Sequence, residues 1–236
     1  LAVEQFTIDS YKKTGSANIT RIEGNKIILD KTIFYPSGGG QEHDTGYFIQ
    51  DDGAFKVEKV KRENGEIIHY VEPHNNLKLS SVNMQLDWER RYKFMRHHTM
   101  LHVLSSVLNR NYNALCTGNQ INVHKSRIDF NNVAHLTDND WRDVIKETNR
   151  EIQSAHKVSS RLLPRELASD VSNMAKTVIN LIPSSVREIR LVKIGEIDEQ
   201  PCGGTHVKNT KEIGEIFLEK VKSKGKGITR LDVRAV

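Results

Sequence analysis

The chain has only two cysteines, Cys116 and Cys202, in 236 residues. They could form one disulfide at most, and the sequence lacks the dense cysteine spacing of a disulfide scaffold. A reducing compartment, the cytoplasm, is therefore expected. No run of 18 or more apolar residues is present, which excludes a helical membrane span. The stretch Leu1-Ala2-Val3-Glu4-Gln5 has no signal pattern and no initiating Met, so trimmed or missing first residues are expected. Strong charge of one sign is also lacking. Lys and Arg number 35 against 30 Asp and Glu, a net +5 at pH 7. That mild basic excess admits an RNA or DNA partner without requiring one. The length is ample to bury a core without staples and suits one large or two modest domains.

Residues 1 to about 90 read as β-rich. Ala17–Ile22 and Lys26–Leu29 flank Gly24-Asn25, a hairpin signal, and Asn64-Gly65 separates Phe55–Val60 from Glu66–Val71 in the same way. Several short strands with such turns predict a small barrel. Val82–Trp88 is read as a last strand, and the domain boundary is placed at 89/90. The remainder mixes both element types. A helix is expected from Glu89 to Asn111. A second follows Thr137, whose spacing to Asp140 is that of a capping box with Asp in place of Glu, and its face is marked by Trp141, Ile145, Thr148 and Ile152. Strands are expected at Ile121–Phe130, Ile189–Ile194, Gly214–Val221 and Ile228–Ala235. The fold class is α+β: a barrel domain over 1–89 and an α+β domain over 90–236.

The chemistry concentrates in two short motifs a hundred residues apart. His98 and His102 form H-x-x-x-H on the first helix, where residues four apart share one face. Cys202 and His206 form C-x-x-x-H. Two imidazoles, a thiolate and a possible third imidazole make a nitrogen/sulfur set that suits Zn²⁺ in tetrahedral geometry. The competing reading makes Cys202 a small buried hydrophobe. His97 is read as a non-ligand, because it is rotated about 100° from His98 on a helix.

Two further stretches are candidates for binding. Gly38, Gly39 and Gly40 remove every side chain and open positive φ, so that backbone N–H groups could approach a ligand; an ordinary turn competes with this reading. Gly39-Gly40-Gln41 also resembles the tripeptide with which peptide release factors promote ester hydrolysis on tRNA. The last hairpin carries Lys220, Lys222, Lys224, Lys226, Arg230 and Arg234 against the single acid Asp232. It reads either as a phosphate-contacting surface or as an edge strand protected by lysine.

Several blocks together carry a family resemblance. Pro201–Gly214, with Cys202-Gly203-Gly204-Thr205-His206, is similar to the cysteine block of the alanyl-tRNA synthetase editing domain. His98-Thr99-Met100-Leu101-His102 matches that family's zinc-helix motif, with His97 standing where Asn is usual. Leu29–Gln41 matches its glycine-rich segment, with Asp44 and Gly46 at the family distance, and Leu86–Arg91 resembles the linker between the two. The blocks run in family order and cover the whole chain. The threonyl-tRNA synthetase editing domain shares the two metal motifs, but its cysteine block differs and it lacks the glycine segment.

No aminoacylation core is expected before residue 1 and no oligomerisation domain after residue 236, and on that expectation the resemblance is to the free-standing alanyl-tRNA editing proteins, the AlaX family, in the form carrying the N-terminal barrel. It implies zinc-dependent hydrolysis of the ester in tRNA(Ala) mischarged with serine, with glycine a further candidate. It assigns discrimination of the serine hydroxyl to Thr32 with Gln41 close by, and makes His206 either a fourth ligand or a group that orients water or ribose. Three alternatives stay open: a zinc-dependent tRNA-binding module without hydrolysis, a metallohydrolase of small esters or amides, and an editing fragment of a full synthetase. The sequence sets no oligomeric state.

Overall fold

The computed structural model describes residues 2–51, 53–73, 76–168, 171, 182, 184 and 186–236. Leu1, read above for a signal pattern, lies outside them. The chain divides into two compact units, Leu1–Met95 and Arg96–Val236.

The first unit begins with β1 (Val3–Glu4) and a single helical turn, α1 (Gln5–Ile8). It continues through β2 (Thr14–Glu23), β3 (Lys26–Leu29) and the short β4 (Lys31–Thr32), which pairs in parallel with β1. β5 (Gly46–Gln50), β6 (Gly53–Glu63), β7 (Glu66–Val71) and β8 (Ser81–Leu86) follow. Six strands close into a barrel in the order β2-β3-β7-β6-β5-β8, and β8 returns to β2. Both hairpin turns fall where the sequence puts them: Glu23 pairs with Lys26, and Glu63 with Glu66. Asn64 and Gly65 both hold positive φ, +50° and +84°, the pair of angles a type I′ hairpin turn needs.

Alternation fills the barrel. β8 turns Val82, Met84 and Leu86 inward, against Phe48, Ile27 and Leu29 among others. β6 departs from strict alternation, because its register shifts between Val57 and Lys59. The extra residue of this bulge lets Val57 and Val60, three apart, both reach the core.

The strand predicted to end at Trp88 stops at Leu86. The Asp87 carboxylate accepts the Arg90 N–H at 3.1 Å and so caps a helix, which makes Trp88 the first residue of α2 (Trp88–Tyr112). Gly46 sits where β5 meets β8, and a Cβ there would lie 2.1 Å from the Gln85 carbonyl oxygen. Arg91, fully buried, grips Asp44 through Nε at 3.0 Å and through Nη2, and donates to the carbonyls of Ser10 (2.8 Å) and Ile33 (2.7 Å). Asp44 in turn accepts the Tyr35 N–H at 2.6 Å. The first turn of α2 is thereby locked to the glycine-rich segment.

The second unit contains β9 (Cys116–Ile121), β10 (Ser126–Phe130), α3 (Asp138–Gln153), β11 (Val158–Pro164), α4 (Arg165–Ala168), β12 (Glu188–Ile194), β13 (Asp198–Pro201), a 3₁₀ turn (Thr210–Ile213), β14 (Ile216–Gly225) and β15 (Ile228–Ala235). Its sheets run β14-β15-β10-β9 and β11-β12-β13, antiparallel throughout. The single strand predicted over Ile121–Phe130 is two, joined by a turn in which the Asn122 N–H donates to the Lys125 carbonyl at 3.2 Å. The strand predicted from Gly214 starts at Ile216, because the 3₁₀ turn occupies the preceding residues, and it runs on to Gly225.

α3 opens with both halves of the capping box that Thr137 and Asp140 suggest. Trp141, Thr148 and Ile152 are buried as expected. Val144 is buried in place of Ile145, which is only half-buried. The fold is α+β, a closed barrel followed by a unit of antiparallel sheets and helices. Among the described residues no helix is long and apolar enough to cross a membrane.

Candidate metal centre

α2 places His98 and His102 one turn apart, with ring centroids 5.4 Å from each other. The chain leaving β13 supplies Cys202 and His206. One ligand atom from each of the four lies within 4.8 Å of the others. Cys202 Sγ is 3.4 Å from His98 Nε2 and 3.3 Å from His206 Nε2. In a tetrahedral zinc site, standard bond lengths separate a sulfur from a nitrogen ligand by about 3.5 Å. Donor chemistry and spacing therefore both fit one divalent ion. His97 stands outside the group. Its Nδ1 donates to the Asn122 carbonyl at 2.9 Å, and its Nε2 accepts the Ala235 N–H at 3.4 Å.

A second layer of contacts aims these donors. His102 Nδ1 lies 2.8 Å from the buried Asp198 carboxylate, which also accepts from the Gln200 amide at 3.0 Å. Tying Nδ1 to a carboxylate leaves Nε2 for a metal. His206 Nδ1 is 3.1 Å from Thr99 Oγ1, and the same oxygen accepts the Val207 N–H at 3.2 Å. Ser106 donates to the Ile197 carbonyl at 2.6 Å. Thr99, His102 and Ser106, on one face of α2, thus all reach the cysteine-bearing segment. Arg190 donates to the carbonyls of Cys202 (2.8 Å) and Gly204 (3.0 Å), and the Gly204 N–H donates to Sγ at 3.4 Å.

Burial alone would raise the Cys202 thiol. The charges of His98 and His206, with hydrogen bonds from His102 and His206, outweigh it and hold the thiol well below its ordinary range. Burial likewise disfavours charge on His102, but Asp198 and Cys202 raise it. His206 is pushed down, chiefly by burial. A thiolate and a neutral imidazole are the forms that ligate; the shifts on Cys202 and His206 favour them, whereas the shift on His102 favours a proton that a bound ion would displace. Asp198, Gln200, Thr99 and Arg190 do not emerge as site residues from sequence spacing, which gives no reason to connect them to the motifs.

The other predicted residues belong to the barrel unit and to the β14–β15 hairpin. Thr32 is fully buried in the barrel unit. His69 Nδ1 faces the Ile27 carbonyl at 3.1 Å and must donate to it, so Nε2 accepts the Thr32 hydroxyl at 2.8 Å. Thr32 Oγ1 also accepts the Phe34 N–H at 3.0 Å. The oxygen is left one lone pair and no hydrogen. Gly39 and Gly40 (φ +56° and +83°) form a tight turn closed by Gly38 and buried Gln41, whose backbones exchange bonds of 3.0 and 2.9 Å. The Gly38 and Gln41 amides therefore already have partners. Lys222, Lys224 and Lys226 are exposed at the β14–β15 hairpin. Arg230, across the ladder from Lys222, is instead bound in fork geometry to Asp129 at 2.7 and 2.8 Å.

A barrel joined to an α+β unit with a three-imidazole, one-thiolate cluster defines a class. Residues 189–232 match the family model described as the threonyl and alanyl tRNA synthetase second additional domain, and residues 4–90 match that of class II (A) tRNA synthetases. The chain is 41% identical over 232 residues to a protein of Saccharolobus solfataricus named alanyl-tRNA editing protein AlaX-M, covering 97% of this chain and 96% of that one. A Methanosarcina acetivorans protein of the same name is 37% identical over 235 residues, covering 96% of each. The alanine–tRNA ligase of Pyrococcus abyssi is 33% identical over 226 residues, which are 94% of this chain and 24% of that enzyme. The chain belongs to the AlaX-M family of alanyl-tRNA editing proteins.

Proposed function

We propose that the chain is a trans-editing aminoacyl-tRNA deacylase, which hydrolyses the ester of tRNA(Ala) mischarged with serine, with glycine as the further candidate substrate. The observation that carries this reading is the convergence of His98, His102, Cys202 and His206 in a member of an alanyl-tRNA editing family. The cofactor is zinc, held by His98, His102 and Cys202. When bound, zinc supplies fixed positive charge where an ester carbonyl becomes an oxyanion. His206 is either the fourth ligand or the group that orients water. Four protein donors close a tetrahedral site, whereas catalytic zinc sites keep one position open. That closeness favours a second reading, in which the ion organises the site and the protein alone places water.

Discrimination falls to Thr32, with Gln41 near it in sequence. An oxygen whose hydrogen is already given to His69 can accept from a serine hydroxyl and can offer nothing else. Alanine brings no donor and would leave that acceptor unpaired, the kind of mismatch that rejects an analogue strongly. Gly38, Gly39 and Gly40 and the cations Lys222, Lys224, Lys226 and Arg230 would meet the tRNA, and the compartment is the cytoplasm. The test is deacylation of Ser-tRNA(Ala) beside Ala-tRNA(Ala), with Cys202→Ala as control. Hydrolysis of the serine ester alone, lost in the variant, is expected. Binding without hydrolysis would leave a tRNA-binding module, and activity on free small esters would leave a general metallohydrolase.

A further inference from the structure

α3 carries two charge rows of opposite sign. Arg142, Lys146 and Arg150 recur every fourth residue, as do Asp143, Glu147 and Glu151. On a helix each row drifts slowly round the axis and the two stand about 100° apart, with about 6 Å between successive members. Two of the three acids are spoken for: Arg110 binds Glu147 at 2.6 Å and Glu151 at 2.8 Å, and His156 binds Glu151 at 2.8 Å, while Asp143 is exposed. The basic row is exposed. Arg142 has only the Asn139 amide oxygen (2.8 Å), and Lys146 and Arg150 have no ion-pair partner among the described residues.

This row forms one wall of a groove of about 790 Å³ between α3 and β14. β14 is the edge strand of its sheet. It is pinned to the helix at one point, where the Asn149 side chain bonds both the N–H and the carbonyl of Ile216 at 2.9 and 3.2 Å. Beyond that point the strand presents Phe217, 38% exposed, and Val221, 40% exposed, beside Ile145. The Arg234 guanidinium lies 5.0 Å from the Phe217 ring centre and neutralises Glu219, one of the groove's three acids, at 2.9 Å. Lys220 continues the positive charge along β14 toward Lys222, Lys224 and Lys226.

We propose that this groove holds an RNA strand: Arg142, Lys146 and Arg150 meet successive phosphates, and Phe217 gives an unpaired base a ring to stack on. A row of unpaired cations beside an exposed aromatic ring is the arrangement that binds single-stranded nucleic acid. An acidic protein segment fits less well, since it would gain nothing specific from the aromatic floor. The proposal rests on the reading of the chain as a tRNA deacylase, and adds to it a surface built from residues outside the metal motifs.

The test is binding of fluorescently labelled, uncharged tRNA(Ala) to the full chain across a salt series, comparing wild type with Arg142→Gln/Lys146→Gln/Arg150→Gln. Glutamine keeps the helix propensity of the row. Weaker binding is expected, with the slope of log K against log salt reduced by about 2 to 3, roughly one per lost phosphate contact. Phe217→Ala should weaken binding with no change of slope. An unchanged slope in the triple variant overturns the proposal, as does loss of wild-type self-association in that variant with tRNA binding intact, which would make the groove a protein interface. If wild type itself binds no tRNA, it is the deacylase reading that fails.

Discussion

His69 in the barrel unit and His102 in the second unit are both buried histidines with a polar partner on each side, yet they are built for different ends. His69 spends both ring nitrogens on its own unit, one on the Ile27 carbonyl and one on the Thr32 hydroxyl. His97 does likewise with Asn122 and Ala235. His102 and His206 spend only Nδ1, on Asp198 and on Thr99 respectively, and turn Nε2 toward Cys202 and one another. The contrast teaches how to separate a core histidine from a ligand. What counts is where the second nitrogen points once the first is tied. The barrel's buried charges follow the first pattern: Arg91 and Asp44 satisfy each other and neighbouring backbone atoms.

The sharpest way to break the barrel half of this comparison is Arg91→Ala. Removing one partner leaves the Asp44 carboxylate buried and uncompensated, and a loss of about 3–5 kcal/mol is expected in chemical denaturation. A loss below about 1 kcal/mol would show that the pair does not hold the glycine-rich segment to α2, by the standard of exposed pairs.

A second effect appears with pH. Burial holds His69 down at about 4, against an ordinary value of 6.5. Below pH 6.5 the unfolded chain takes up a proton that the folded chain refuses until about pH 4. This contribution to stability is therefore complete above pH 6.5 and is lost as pH falls through that window, in total on the order of 3 kcal/mol. The stability advantage of wild type over His69→Phe should shrink by about 1.4 kcal/mol per pH unit between those limits. A difference constant with pH would mean that His69 is not held neutral.

The metal half is sharpened by Asp198→Asn. The variant keeps an oxygen for His102 Nδ1–H and removes the charge. Zinc affinity, measured by chelator competition, should fall about 10- to 100-fold. Unchanged affinity would demote Asp198 to packing. The smallest effect is expected from Thr32→Val, which should leave zinc bound and narrow the preference for Ser-tRNA(Ala) over Ala-tRNA(Ala). Unaltered selectivity would remove Thr32 from the discriminating role.

Much of this was legible in one dimension. Asn64-Gly65 announces its turn because few residues accept two positive φ angles in a row. The four donor residues announce themselves because helical spacing fixes His98 against His102, and Cys202 with His206 completes a nitrogen/sulfur set that suits one ion. What stayed hidden depends on contacts between distant segments. Asp198 lies 96 residues from His102, and no local rule joins them. The bulge at Val57–Lys59, the stop of β8 at Leu86 and the division of Ile121–Phe130 into two strands are settled by capping, register and turn closure. Hydrophobic alternation cannot see these. The pairing of His69 with Thr32 was equally invisible, since His69 reads as an ordinary residue of a strand.

The central claim is that His98, His102, Cys202 and His206 hold one divalent ion together. Zinc content per chain, measured on purified wild type and on Cys202→Ala after identical exchange into metal-buffered solution, tests it most directly. One equivalent in wild type, and almost none in a variant that still folds, is the expected result. Wild type that remains folded and metal-free, or a variant that retains a full equivalent, would contradict it.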